Sequence, residues 1–431
     1  MSSIEYNKDK LADIAPNANK KALVIGNGAV GSYLAEYIAK MGVGSITCCD
    51  IDKYHRDNGA KTSAIIRFPE DDNKEKAKAL SARVSEIMIE GGHVNYIHGS
   101  IENFGPLAFS EYDFVCAGPD SKAVREYPNQ QIMQLPPDQR PTYIFGGTDE
   151  EMGMSGCVDT INVCYRCTCE EGSFRSSRKK TSCNDVHYRY NADGAAEKIL
   201  VSNLASAKAA ILMADDIRGY VKSAGRVVNR TRSWNPDVPI PIFPEDAVRR
   251  PDCPDCNNIH YPESISFIDA SVLKTTLREF FDIIKDKLNR EDFELDAHTH
   301  IFGEQAFMTF ITRNYCRTCG ASVDVYKHSG RITEKIQCEE CRGAGLPAEG
   351  AADGGIVESV YGFRYGECEE KMLDMTLYEL GFPIGAYLNI VCMNDATDRF
   401  DPRLEEFCFA CSGDLKTVFK NHDFMKGDCN D

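Results

Sequence analysis

The chain has 431 residues, 42% of them hydrophobic and 27% charged, which places it among ordinary globular proteins and gives it length for two or three domains. A formal net charge of -17 argues against nucleic acid as a partner, because phosphate contacts need clustered Lys and Arg. No run approaches the roughly 18 uninterrupted apolar residues of a membrane span, and residues 1–16 lack the charged-then-apolar order of a secretory signal. A cytoplasmic protein with no membrane association is expected, in which nineteen cysteines point to metal ligands and thiol chemistry more than to disulfides.

The first elements read as strand, glycine turn, helix and strand. Residues 22–25 are a short apolar run, 26–31 the turn, 33–38 the start of an amphipathic helix, and 45–49 a second strand ending at Asp50. A helix is predicted over 74–89, with strands at 93–97, 113–117 and 143–145. Strands alternating with helices imply a doubly wound, mostly parallel α/β sheet. Residues 170–181 have no apolar period and read as an exposed loop, 195–215 as a long helix, and 234–251 as a Pro-rich connector. Beyond it come a helical stretch at 271–288, a cysteine-bearing module at 315–342 and a Gly/Ala-rich linker at 343–355. A last compact piece lies around 372–393, whose segment 375–391 has the helix-turn-strand rhythm of a ubiquitin-like fold or of a small packing domain. The expected domains are 1–258, 259–345 (helical segment plus zinc ribbon) and 346–431, a small α+β module.

Gly26-Asn27-Gly28-Ala29-Val30-Gly31 has the spacing at which a tight turn brings backbone N–H groups and a helix N-terminus against phosphates. Asp50, ending the next strand, is placed for ribose hydroxyls. Alone, this pattern reads by default as an NAD-dependent dehydrogenase. The residues that follow do not: Asp50-Ile51-Asp52, Asn58, Lys61, Lys78-Ala-Leu-Ser-Ala-Arg, Cys116-Ala-Gly-Pro-Asp120-Ser and Arg125. Chemistry at an ATP α-phosphate needs cations against developing oxyanion charge and a carboxylate for Mg²⁺, whereas hydride transfer needs neither.

Two Cys-x-x-Cys knuckles, Cys164/Cys167 and Cys253/Cys256, have tetrahedral Cys₄ spacing for structural Zn²⁺. Cys316/Cys319 and Cys338/Cys341 form a second set, close enough in sequence for one zinc ribbon with a hairpin over 326–335. Cys408/Cys411 is a lone pair that reads as core, as do Cys48, Cys49 and Cys116. Cys183 differs. It follows Arg175, Arg178, Lys179 and Lys180, and nearby cations favour thiolate. It is the candidate nucleophile against the plainer reading of an unreactive loop thiol. Cys169, two residues after the first knuckle, is second and reads more readily as a spare thiol.

The ordered set resembles the ThiF/MoeB and ubiquitin-activating family, including the Tyr-Arg inside the first knuckle and the Arg-Arg-Pro-Asp before the second. The resemblance implies a Rossmann-like adenylation domain binding ATP and Mg²⁺ as well as Zn²⁺. Gly26, Gly28 and Gly31 fall at the phosphate turn, Asp50 at the ribose, Asn58 and Lys78 at polyphosphate-contacting positions and Asp120 at the Mg²⁺ position. The family usually has Arg where Lys61 stands, so Arg56 or Arg67 is a candidate for part of that contact. Arg125 reads as an ion-paired support. Cys183 lies where many relatives carry the cysteine that takes the acyl group.

The implied function is adenylation of the C-terminal carboxylate of a ubiquitin-like protein ending in Gly. Thioester formation and transfer to a conjugating enzyme would follow. The alternatives are a sulfur-carrier activator of the thiamin or molybdopterin type and, outside the family, a dehydrogenase or a silent scaffold. Relatives act as homodimers, with a basic residue from the second subunit; here Lys8, Lys10, Lys20 and Lys21 are candidates.

Overall fold

In the computed structural model the run Lys-Ala-Leu-Val-Ile forms β1 (Lys21–Ile25), buried from Ala22 onward because its β-branched and aliphatic side chains are covered on both faces. The structure describes residues 17–149, 152–169, 188–190, 196–198, 202–235, 242–296, 310–315, 319, 321–328, 356–360, 362–392, 405–415 and 422–423. The chain divides into two compact units. One comprises Met1–Glu102, Phe109–Asn257 and Phe419–Asp431, the other Asn103–Ala108 and Asn258–Val418.

In the first unit β1 is followed by α1 (Ala29–Lys40), β2 (Ser45–Asp50), α2 (Lys76–Ser85), β3 (His93–His98), β4 (Phe114–Ala117), α3 (Lys122–Met133), β5 (Thr142–Asp149) and β6 (Met152–Val158). Then come α4 (Asn203–Lys222), β7 (Arg230–Trp234) and β8 (Ile242–Asp246). With β17 (His422–Asp423) the strands form one nine-stranded sheet in the order β8-β7-β6-β5-β4-β1-β2-β3-β17. Pairing is parallel from β5 through β17 and antiparallel from β5 to β8. The chain runs outward from β1 to β3 and then returns to place β4 on the other side of β1. The carboxyl ends of β1 and β4 therefore flank a topological switch point, where α/β sheets open a crevice for ligands.

One face of this sheet is sealed by Leu34, Ala35 and Ile38 of α1 with Ala209, Ala210, Met213 and Ile217 of α4. Helix α4 begins at Asn203, later than the 195 read from the sequence. Ser202 stops it: its hydroxyl accepts the Ala205 N–H as an N-cap, and residues 196–198 are spent in a strand pair with 188–190. The predicted Pro-rich connector in turn contributes β8, whose Pro244 sits on the sheet's edge strand where a missing N–H is tolerated.

The second unit contains β9 (Ser266–Ile268), α5 (Leu277–Leu288), β10 (Phe293–Asp296), β11 (Phe310–Tyr315), β12 (Ser322–His328), β13 (Ile356–Val360), β14 (Gly362–Arg364), β15 (Leu388–Cys392) and β16 (Glu405–Cys411). Five strands order as β9-β16-β15-β10-β14 and three as β12-β11-β13. Strands from before and after residue 345 thus share both sheets. Helix α5 starts at a capping box: Thr276 Oγ1 accepts the Glu279 N–H at 3.3 Å, and Glu279 Oε2 accepts the Thr276 N–H at 2.9 Å. Its apolar stripe, Leu277, Phe280, Phe281 and Ile284, is buried in the core with Phe293, Leu295 and Leu388.

Only part of the expected ribbon module falls among the described residues. Of the hairpin expected over 326–335, residues 326–328 end strand β12, which pairs antiparallel with β11, and 329–335 lie outside the described residues. Cys316, Cys338 and Cys341 lie outside the described residues; Cys319 is exposed. No helix among the described residues is long and apolar enough to cross a membrane.

Candidate nucleotide site and four-cysteine centre

The glycine turn sits at the carboxyl end of β1. Gly26 has φ +79°, a conformation L side chains resist, and a Cβ there would lie 2.8 Å from the Pro119 nitrogen. A Cβ on Gly31 would lie 1.9 Å from the Gly26 carbonyl oxygen, so the first turn of α1 rests directly on the loop. At Gly28 a Cβ would meet nothing within 4 Å, which leaves one side of the turn open. Gly28 is the N-cap of α1 and no side chain caps that helix. The turn thus offers an anion backbone N–H groups and the positive end of a helix dipole.

Asp50 ends β2 beside this turn. Its Oδ2 accepts the Asn27 N–H at 2.5 Å and its Oδ1 the Asp52 N–H at 2.8 Å. Burial pushes the Asp50 carboxyl upward and the neighbouring Asp52 adds to that, while the Lys76 ammonium and the two N–H donors oppose it. Lys76 Nζ stands 3.0 Å from Asp52 Oδ2, with its side chain only 9% exposed. Lys76 N also donates to the Asp52 carbonyl at 2.8 Å, tying the start of α2 to the end of β2. Lys78, named from the sequence, has its Nζ over the Tyr96 ring of β3, 5.5 Å from the centroid. The structure brings Lys76 to the acids, a residue the sequence reading passed over. The signal was present in Lys74-Glu-Lys76-Ala-Lys78, but which lysine faces the edge depends on where the helix starts.

Asn58 is buried in a 3₁₀ turn (Arg56–Asn58), where its Oδ1 accepts the His55 N–H at 3.0 Å. The Lys61 N–H bonds the Asn58 carbonyl at 2.9 Å. Two residues on, the Ser63 N–H bonds Ser32 Oγ of α1 at 2.9 Å. That bond docks the Asn58–Lys61 segment against the helix that the glycine turn begins. Arg56 is exposed, and exposed Arg67 pairs with Glu86 at 2.6 Å, so Arg67 is engaged on α2. Asp120 is exposed just after Pro119, the residue against which Gly26 packs. Arg125, read as an ion-paired support, is buried. It hydrogen-bonds the carbonyls of Pro119 at 2.8 Å and Asp120 at 3.4 Å, fixing the loop that carries Asp120.

The switch point therefore assembles the glycines, Asp50, Lys76 and Asp120 along one edge. Lys20 pairs with Asp113 at 2.8 Å and Lys21 with Glu111 at 3.5 Å, so both are engaged within their own unit. Lys8, Lys10 and Cys183 lie outside the described residues. Cys169 is half-buried, and burial pushes its thiol up against hydrogen bonds to Tyr165 and Thr168 and the Lys122 charge. Burial likewise raises Cys49 and Cys116, and Cys48 to about 12, which makes them core thiols.

Cys164, Cys167, Cys253 and Cys256 converge, their sulfurs all within 4.8 Å of one another. Sγ separations are 3.6 Å for Cys164–Cys253, 3.5 Å for Cys167–Cys256, 3.3 Å for Cys256–Cys164 and 3.8 Å for Cys164–Cys167. A tetrahedron of sulfurs at ~2.3 Å from zinc has edges of about 3.8 Å, whereas a disulfide needs ~2.05 Å. The donor set fits a thiophilic, tetrahedral ion such as Zn²⁺. A second layer is in place: the Arg250 N–H points to Cys167 Sγ at 3.4 Å, and the Arg249 guanidinium holds the Cys256 carbonyl at 3.0 Å. An ion held here would crosslink residues 164–167 to 253–256, fastening both ends of the segment between them.

Solved structures give low similarity. E. coli MccB with ATP is 17% identical, covering 56% of this chain and 67% of MccB at a TM-score of 0.43. MccB, a microcin C7 biosynthetic enzyme, in complex with N-formylated MccA is 17% identical, with 56% and 68% covered at 0.41. PaaA is 15% identical, with 55% and 66% covered at 0.40. No curated protein matches the chain. The ThiF family model, in contrast, matches residues 11–345, a span that takes in the glycine turn, the acids and lysines of the edge, and the four-cysteine cluster. The chain belongs to the ThiF family of adenylating enzymes.

Proposed function

We propose that this protein activates the C-terminal carboxylate of a ubiquitin-like protein with ATP and then carries the acyl group on a cysteine of its own. The observation that supports it most is the convergence of the open glycine turn, Asp50 and the Lys76–Asp52 pair at one edge. A triphosphate laid along that edge meets backbone N–H groups at the turn and a ribose acceptor at Asp50. The carboxylate oxygen of the substrate attacks the α-phosphorus, the bond to the β,γ-pyrophosphate breaks, and pyrophosphate leaves. Charge on the α-phosphate oxygens rises, and Lys76 and Lys61 are proposed as the cations that offset it. Asp120 is the carboxylate for Mg²⁺, which supplies further neutralisation of the polyphosphate.

In the second step the Cys183 thiolate attacks the acyl carbon and AMP leaves, giving a thioester for transfer to a conjugating enzyme. The run of Arg175, Arg178, Lys179 and Lys180 supports Cys183 in that role, and the burial that raises the Cys169 thiol counts against the alternative. The working form is proposed to be a homodimer. Pyrophosphate exchange into ATP, run with a ubiquitin-like protein ending in Gly, tests the first step. Intact-mass analysis of wild type and Cys183→Ala tests the second: a thioester that survives the substitution ends the assignment of Cys183. A thiocarboxylate product instead identifies a sulfur-carrier activator.

A further inference from the structure

The peptide group joining Asn27 to Gly28 is the first of the turn that can face a phosphate, and its orientation is held from both ends. On one side the Asn27 N–H is taken by Asp50 at 2.5 Å. On the other, the Asn27 carbonyl accepts the Tyr54 hydroxyl at 2.6 Å. Tyr54 is fully buried, packs edge-on against Phe68 with ring centroids 6.1 Å apart, and is anchored by backbone bonds to Lys74 and Asn73, each 2.8 Å. It is a fixed post in the core. Burial raises its phenol well above the ordinary value, so it remains a donor.

In a trans peptide the C=O and the following N–H point in opposite directions. Because the Asn27 carbonyl points inward to Tyr54, the Gly28 N–H points away from Tyr54, at a residue where even an added Cβ would meet nothing within 4 Å. The opposite orientation is within reach. Rotating that peptide by about 180° takes Gly28 from φ -82° to about +98°, which only glycine adopts readily. The rotated form would aim the Asn27 carbonyl, a partial negative charge, at the anion.

We propose that Tyr54 is a positioning residue that latches the Asn27–Gly28 peptide in its anion-binding orientation, so that the Gly28 N–H is presented to the polyphosphate of the nucleotide. This rests on the triphosphate reading of the turn. Without the hydroxyl, a share of the molecules holds the carbonyl outward, and affinity falls by the fraction that remains competent. The loss is expected in phosphate binding, since the Gly28 N–H is the group the latch presents.

The test is calorimetric titration of the full-length protein and of Tyr54→Phe with ATP and, separately, with adenosine. About tenfold weaker ATP binding with unchanged adenosine binding is expected, in proportion to one hydrogen bond. Equal change in both ligands, or in neither, overturns the latch while leaving the nucleotide site standing; wild type that fails to bind ATP overturns both. Should Tyr54→Phe not fold, the amide resonance of Gly28 in wild type decides: a downfield shift on adding ATP supports the latch, and an unmoved resonance ends it.

Discussion

Lys76 and Asp52 meet at 3.0 Å across the junction of β2 and α2, the ammonium nearly sealed from solvent while the carboxylate is 39% exposed. The asymmetry matters, because a charge held out of solvent at this edge is only weakly screened and acts strongly on a nearby anion. Lys76→Ala should lower the rate of ATP–pyrophosphate exchange by about 100-fold or more, on the scale of losing one preorganised charge. Lys78→Ala, whose ammonium lies over Tyr96, should cost about tenfold or less. Parallel exchange assays on the two variants check the order; the reverse order would move the phosphate-binding role to Lys78.

Gly31 tests the turn's construction. A methyl group there would lie 1.9 Å from the Gly26 carbonyl oxygen, which belongs to the backbone and has little room to yield. Gly31→Ala should lose about 3 kcal/mol or more of stability along with nucleotide binding, read by urea denaturation.

The four-cysteine cluster should hold one kind of ion and depend on it. Cys253→Ala removes a fully buried ligand, and we expect loss of the bound metal by elemental analysis with a melting temperature lower by roughly 5 °C or more. A protein purified with no metal and an unchanged melt in the variant would contradict a structural centre.

Asp71 and Arg83 give the pH prediction. Arg83 grips Asp71 with Nε at 2.9 Å and a second nitrogen at 3.0 Å. Burial alone would raise the Asp71 carboxyl, yet the Arg83 fork, the Arg67 N–H and Lys74 hold it below its ordinary value. A carboxylate depressed in the folded state contributes stability above its unfolded pKa of about 3.9, and loses it as pH falls through the folded value. Arg83→Ala, which leaves the buried Asp71 carboxylate with only Lys74 at 3.4 Å and the Arg67 N–H, should cost about 2 kcal/mol at pH 7. Denaturation at a series of pH values should show the gap from wild type closing as acid protonates Asp71.

Much of the nucleotide site was legible in the chain because its parts are backbone features with fixed spacing. A strand of Ala-Leu-Val-Ile, glycines at positions 26, 28 and 31 and an acid ending the next strand admit few other folds, and the Cys-x-x-Cys pairs carry their own geometry. What was not legible depended on helix phase and tertiary contact. Lys76 and Lys78 are two residues apart, about 200° around a helix, so which of them meets Asp52 depends on where α2 starts. Tyr54 gave no signal, since a tyrosine in a polar loop shows neither its burial nor its bond to Asn27. Arg125 suggested a carboxylate partner and found carbonyls, because the loop it supports turns its backbone toward the helix.

The most direct measurement is titration of the full-length protein with Mg-ATP and, separately, with NADH, repeated on Lys76→Ala. Saturable Mg-ATP binding that the substitution weakens by about tenfold or more, with NADH bound poorly, is the result this account predicts. Tight NADH binding alongside no detectable affinity for Mg-ATP would contradict it.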